Sequence, residues 1–241
     1  MCGISGILSL NNKPIKFLDD RIELMTKSLG HRGPDQEGIY ISKDKCFALS
    51  SNRLSIVAAK EIIDLPYTKN NNEFLSFNGE IYNYIELKEN LEKEGIKFST
   101  NSDQEVLYEY LNKYNFKNLE KINGIWALAF YNQRKNQLLL SRDLMGERHL
   151  FYTVSNNELI FSSEVKAILS VLLKKSEFDF DSIISSWKFN SCQPGKTLIK
   201  GIYKLKAGYN LICSNNKIET IRFQKLHPEK WFVFFQKLPK E

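Results

Sequence analysis

Residues 1 to 10 read "MCGISGILSL". A cysteine stands directly behind the methionine, in front of small and apolar residues that read as a strand over 3 to 10. Cys2 admits two readings. A cysteine in an apolar run serves as a small core residue. Alternatively, removal of Met1 leaves Cys2 as the first residue, carrying both a thiol and a free α-amine. These two groups titrate within about one unit of each other in model compounds, so such a residue holds its own nucleophile and its own base. The rest of the chain decides between the two.

The 241 residues suffice to bury a sizeable core, and the 42% hydrophobic content is that of a globular chain. Cys2, Cys46, Cys192 and Cys213 lie far apart with no CxxC pair, and there are three histidines. Structural zinc and a disulfide framework are both disfavoured by that pattern. No stretch approaches the roughly 20 apolar residues of a membrane span, and the first residues lack the basic and long apolar regions of a signal peptide. These features predict a cytoplasmic, reducing setting. The net charge of +6 is concentrated at one end: residues 196–241 carry ten Lys or Arg against three acids. The body is therefore nearly neutral, and the basic residues of the end are dispersed among apolar ones, which argues for a solvated face rather than nucleic-acid binding.

Outward from the opening strand, apolar residues at Leu18, Ile22, Met25 and Leu29 predict a helix from Leu18 to Leu29. Short strands are predicted around "GIYIS", "CFALSS" and "EFLSF". After Asn78-Gly79 come two helical segments, "YNYIELKENLEKEG" and "SDQEVLYEYLNKY", the second opened by Ser102 and Glu105 in capping-box spacing. Strand character returns in "GIWALAFYN", "NQLLLSRD", "HLFYTVS" and "ELIFSS", joined by short turns that predict antiparallel hairpins. A helix over "SEVKAILSVLL" follows, and the remainder alternates strand and turn. Strands, two helices and strands again predict an α+β arrangement with helices covering antiparallel sheet. Trp231 to Phe235 is an apolar run that reads as a last buried strand or as a surface made for a second domain.

Five further segments bear on the chemistry: "HRGPD" (31–35), "NRLSIV" (52–57), "FNGEIYN" (77–83), "NSDQEV" (101–106) and "SRDLMG" (141–146). Singly, each has an ordinary structural explanation. Gly33-Pro34 is a turn, Arg53 a surface cation, Asn78-Gly79 a hairpin turn and Asp103 a first-turn acid. Together and in this order behind "MCGI", they resemble the glutaminase domain of class II glutamine amidotransferases, especially that of glutamine-hydrolysing asparagine synthetases. The resemblance runs from Cys2 to about Phe223 and includes "FSSEVKAIL" and "GIYKLKAGY".

That resemblance implies a four-layer αββα N-terminal nucleophile hydrolase sandwich, two antiparallel sheets between helix layers. It implies Cys2 as the nucleophile and Asn78 with Gly79 as the oxyanion hole. It further implies Arg53 as the binder of the glutamine α-carboxylate and Asp103 as the partner of its ammonium, with Leu54, Ser55, Ile56, Val57 and Glu80 lining the pocket. The chemistry suits these residue types. The planar fork of Arg binds a carboxylate through two parallel hydrogen bonds, which Lys cannot reproduce. An Asn amide beside a Gly N–H offers two donors to a developing oxyanion. Gly79 lets a substrate approach its backbone closely. With the amine of Cys2 as base no histidine is required, and His31 reads as structural or outside the reacting groups.

Two departures from the family pattern affect loops: His149 in "GERHLFY" replaces a usual proline, and "DLPYTKNNNEF" replaces a usual Gln-Pro turn. The expected organisation is a glutaminase domain over 1–190, with 191–241 as terminal strands and a linker toward an absent ATP-dependent synthetase domain. No adjacent glycines, Walker pattern or dinucleotide fingerprint occur. The expectation is thus glutamine hydrolysis through a Cys thioester, no cofactor in this chain, ATP and Mg only in the missing domain, and a separate synthetase unit taking the ammonia; a homodimer stays open. Two alternatives remain, an amidase of the same mechanism for another amide and a catalytically degenerate binding module.

Overall fold

The computed structural model describes residues 1–54, 64–173 and 175–225. The opening strand is β1 (Gly3–Ser9), and all seven of its residues are buried. It runs antiparallel between β3 (Phe47–Arg53) and β8 (Glu158–Ser162). Period-two alternation sends Ile4 and Leu8 to one face and Ile7 to the other, and both faces are covered. Gly6 has a packing reason: a Cβ there would lie 2.3 Å from the Phe161 ring and 2.8 Å from the Ala48 carbonyl oxygen.

The first sheet has the order β2 (Gln36–Ile41), β3, β1, β8, β7 (Phe151–Ser155) and β9 (Tyr203–Lys204). The second has the order β11 (Lys217–Arg222), β10 (Tyr209–Ser214), β6 (Gln137–Arg142), β5 (Gly124–Asn132) and β4 (Glu73–Ile81). Adjacent strands pair antiparallel throughout. Three apolar layers separate four structural ones. Ile7, Ala48 and Ile160 pack under α1 (Leu18–Ser28) and α4 (Val165–Leu169). Ile4, Leu8 and Phe47 meet Ala127, Ala129 and Leu138 between the sheets. Trp126, Leu128 and Phe130 pack against α2 (Tyr84–Lys93) and α3 (Asp103–Tyr114). Each such large side chain contributes roughly 1.5–3 kcal/mol by leaving water. The expected αββα sandwich is therefore the fold.

The two hairpin turns Asn156-Asn157 and Asn215-Asn216 place both residues at positive φ, the twist that a two-residue loop between antiparallel strands requires. Asn78-Gly79, by contrast, is no turn but lies inside β4, paired with Ala127 and Trp126. Burial of the flanking strand outweighs the local turn preference. The helix expected over "SEVKAILSVLL" is only the five residues of α4, and an unexpected α5 (Phe180–Phe189) follows it. This helix turns Phe180, Ile184 and Trp187 outward. The Trp231 to Phe235 run lies outside the described residues.

Half of the capping box forms. The Ser102 hydroxyl accepts the Glu105 N–H, but the Glu105 carboxylate turns instead to the N–H groups of Ser99 (2.8 Å) and Thr100 (2.6 Å) and to Lys69 (2.6 Å). Glu105 is wholly buried. Burial alone would raise its pKa, but the Lys69, Ser99 and Thr100 hydrogen bonds outweigh it and hold the group at about 2, against 4.5 for a free side chain. Because the folded value lies below the unfolded one, the stabilisation is complete above pH 4.5 and is lost as pH falls toward 2. The shift corresponds to about 3 kcal/mol. In urea unfolding, the stability gap between wild type and Glu105→Gln should therefore shrink as pH is lowered from 5 toward 2; a gap independent of pH would show that the charge is not what holds this corner.

Candidate active site

At the open end of β1 and β3, Gly3 pairs with Asn52, so Cys2 and Arg53 come at the same end of adjacent strands. Across the sheets, Phe74 of β4 stacks on Tyr40, which is in register with Leu49 of β3. Two residues further on, the Ser76 hydroxyl hydrogen-bonds to the Ser51 hydroxyl and to the Ser50 carbonyl (2.8 Å). β3 and β4 thus advance side by side from opposite sheets. Alternation then puts Cys2 two residues before Ile4, Arg53 two after Ser51 and Asn78 two after Ser76, all toward the space between the sheets at one mouth. Cys2 and Arg53 are half-buried there, and Asn78 is buried.

The Nδ2 amide of Asn78 is buried and has no hydrogen-bond partner among the described residues. Such a group normally finds one, since leaving it unpaired costs about 1–3 kcal/mol. Trp126, opposite Gly79, directs its N–H to the Asp143 carboxylate (3.3 Å) and its carbonyl to the Asp143 N–H (3.0 Å), away from β4. In an antiparallel ladder the facing Gly79 N–H must then point the other way, and β4 is the last strand of its sheet. Ile81 has the same parity, and its N–H indeed leaves the ladder, donating to Asp103 Oδ2 at 3.0 Å. The Gly79 N–H and the Ile81 N–H that reaches Asp103 therefore lie on one sheet edge, about 7 Å apart by strand rise.

Asp103 sits at the start of α3, half-buried. Burial pushes its carboxyl above the usual range, with the Ile81 N–H opposing and exposed Glu80 reinforcing the rise. A cation placed beside it would be held by a carboxylate short of compensating charge. Gly79 also has a reason beyond substrate approach: a Cβ would lie 2.0 Å from the Ile125 carbonyl oxygen and 2.8 Å from the Trp126 Cα. Leu54 follows Arg53 in irregular chain, while Ser55, Ile56 and Val57 lie outside the described residues.

Two motifs turn out to support the mouth. In "HRGPD", a Cβ on Gly33 would come 2.4 Å from the Arg53 nitrogen, so the turn lies flat on the end of β3, where Pro34 bridges to Arg53 and the Asp35 N–H donates to the Arg53 carbonyl. From this turn Arg32 Nε donates to the carbonyl of Cys2 at 3.0 Å. In "SRDLMG", the buried Asp143 carboxylate accepts N–H groups from Trp126, Met145, Gly146, Glu147 and Arg148, while Arg142 donates to the carbonyls of Gly146, Arg148 and Leu205. Asp143 thereby sets the direction of Trp126, and so of the Gly79 edge. The sequence alone does not show that these motifs reach Cys2 and Trp126, because those backbone groups arrive from other strands. His149 is exposed, its ring edge-on to Phe151, and the neighbouring Leu150 stays buried.

Among the described residues no group of three or more His, Cys, Asp or Glu side chains could hold a metal ion, and no helix is long and apolar enough to cross a membrane. Two sheets between helix layers, with a cysteine at the mouth of the first strand, define an N-terminal nucleophile hydrolase fold. A solved Bacillus subtilis glutamine phosphoribosylpyrophosphate amidotransferase, complexed with ADP and GMP, shares this fold at a TM-score of 0.66 and 20% identity over 93% of this chain and 50% of its own. Residues 1–224 match the family described as glutamine amidotransferase domain, and the chain belongs to the class II glutamine amidotransferase domain family. It is 34% identical over 242 residues to the "Putative asparagine synthetase (glutamine-hydrolyzing) 2" of Methanocaldococcus jannaschii, covering 92% of this chain and 46% of the relative. It is 32% identical over 211 residues to asparagine synthetase (glutamine-hydrolyzing) 1 of Bacillus subtilis, covering 86% of this chain and 33% of that protein. The chain thus spans half or less of the length of these relatives.

Proposed function

We propose that this chain hydrolyses glutamine to glutamate and ammonia, with the Cys2 thiol as nucleophile once Met1 has been removed. The observation that carries this reading is the buried Asn78 Nδ2, without a hydrogen-bond partner among the described residues, at the mouth that Cys2 and Arg53 also face. The α-amine of Cys2, directly or through water, takes the thiol proton. Sulfur attacks the side-chain amide carbon, and Asn78 Nδ2 with the Gly79 N–H receives the oxyanion. The proton returns to the leaving nitrogen, ammonia departs, and water hydrolyses the glutamyl thioester. Arg53 receives the α-carboxylate and Asp103 the ammonium, with Leu54 and Glu80 beside them. The amino-acid clamp favours glutamine over a general amide.

The ammonia is taken up by a synthetase unit, on the same polypeptide or a separate one, where ATP and Mg act; the names of the relatives support this acceptor. The test combines intact mass with glutamate release from glutamine. Protein that begins at Cys2 should release glutamate, and protein that retains Met1 should not, because its Cys2 amine is tied up in a peptide bond. Release that is independent of Met1 would remove the amine from the mechanism. For the clamp, Arg53→Lys should raise the glutamine KM about 10-fold or more through loss of the two-pronged charged hydrogen bond. An unchanged KM would take Arg53 out of the pocket.

A further inference from the structure

The segment "FSSEVKAIL" has no task in the reaction just described, yet it runs beside the leading end of β1. Ser5 pairs with Ser162; one step on, Ile4 and Ser163 exchange two hydrogen bonds, Ser163 N–H to the Ile4 carbonyl (2.8 Å) and Ile4 N–H to the Ser163 hydroxyl (3.0 Å). The next residue, Glu164, therefore arrives level with the start of the strand. Its Oε1 accepts from Arg32 Nη1 and from His31 Nε2, both at 2.9 Å, and its Oε2 lies 3.3 Å from Lys166 Nζ. Arg32 is the group whose Nε holds the Cys2 carbonyl.

We propose that Glu164 is a positioning residue for the nucleophile: it fixes the Arg32 guanidinium, which in turn fixes the Cys2 backbone and hence the directions of its thiol and amine. This rests on the glutaminase reading above. The chemistry suits the task. A rigid guanidinium fork engaged at Nη1 has little freedom to rotate, so its Nε bond to Cys2 is directional. Although burial alone would raise it, the Glu164 pKa is lowered by hydrogen bonds from Arg32, His31 and Lys166, so the carboxylate is charged at neutral pH. On the β8 side the last bonds join Ile4 and Ser163, and on the β3 side the register ends at Gly3 and Asn52; past these, Arg32 adds a side-chain bond to the Cys2 carbonyl. A misaligned Cys2 would still bind substrate through Arg53 and Asp103 but would react slowly.

The experiment measures two things on the full chain: glutamate release from glutamine, and labelling of Cys2 by a diazoketone analogue of glutamine, which needs a placed thiol but no thioester hydrolysis. Glu164→Ala should lower kcat and the saturating labelling rate about 10-fold or more while KM stays within about 2-fold. Glu164→Gln, which keeps the acceptor oxygen and the shape, should lose less, and it is scored in the same way should the alanine variant not fold. In an Arg32→Ala background, Glu164→Ala should have no further effect, because both act along one path. An unchanged kcat, a loss confined to KM, or a full additive loss in the Arg32→Ala background would overturn the inference while leaving the glutaminase reading intact. Wild-type protein that neither releases glutamate nor accepts the label would overturn that reading, and this inference with it.

Discussion

Replacing Cys2 by alanine is expected to lower glutamate release from glutamine by three orders of magnitude or more, with little change in thermal stability. The large effect follows from covalent chemistry. Without sulfur there is no thioester, and the remaining groups can only polarise an amide toward water. The small stability cost follows from position: Cys2 is half-buried, precedes β1 and lies outside the three apolar layers. Cys2→Ser should also lose most activity, since the hydroxyl is a far poorer nucleophile near neutral pH, while keeping the shape of the site. A coupled glutamate assay alongside thermal unfolding checks both halves. Full activity in Cys2→Ala would assign the nucleophile elsewhere and return Cys2 to the role of a small structural residue.

Asn78→Ala is expected to reduce kcat by about 100- to 1,000-fold, the usual cost of removing one oxyanion donor, roughly 3–4 kcal/mol in the transition state. KM should move little, because the donor meets the oxyanion and not the ground-state α-carboxylate or ammonium. The stability prediction runs opposite to that for most buried polar residues. The Asn78 amide nitrogen is buried without a partner among the described residues, so its removal deletes a desolvation cost and no hydrogen bond of that group. The variant should therefore unfold no earlier than wild type, and a gain in melting temperature would fit a site that trades stability for function. Steady-state kinetics with calorimetry decides the matter. A marked loss of stability with kcat intact would make Asn78 a packing residue.

Much of this fold is legible along the chain. Leu18, Ile22 and Met25 recur at helical spacing and form the buried stripe of α1, and "GIWALAFYN" with "NQLLLSRD" is the β5–β6 hairpin. Local preference fails where distant partners outweigh it. Asn78-Gly79 favours a turn by itself, but β5 pairs with it and the fold makes it strand. α5 repeats the same apolar spacing at Phe180, Ile184 and Trp187, but the structure turns these residues outward; the Asp179 side chain accepting the Ser182 N–H at 2.9 Å marks its start. Glu105 looked like the second half of a cap, and only the approach of Lys69 and the 99–100 backbone gave it different partners.

By itself, the order of residue types determined the family and the α+β layering, because chemistry and period are properties of the chain read in one dimension. Tertiary structure alone decided that β1 lies between β3 and β8, that the Gly79 N–H leaves its ladder while Trp126 turns to Asp143, and that Glu164 reaches the leading cysteine through Arg32. The physical reason is that hydrogen-bond direction and burial depend on which strand arrives alongside, and that pairing joins segments distant in sequence, where local propensity carries no information.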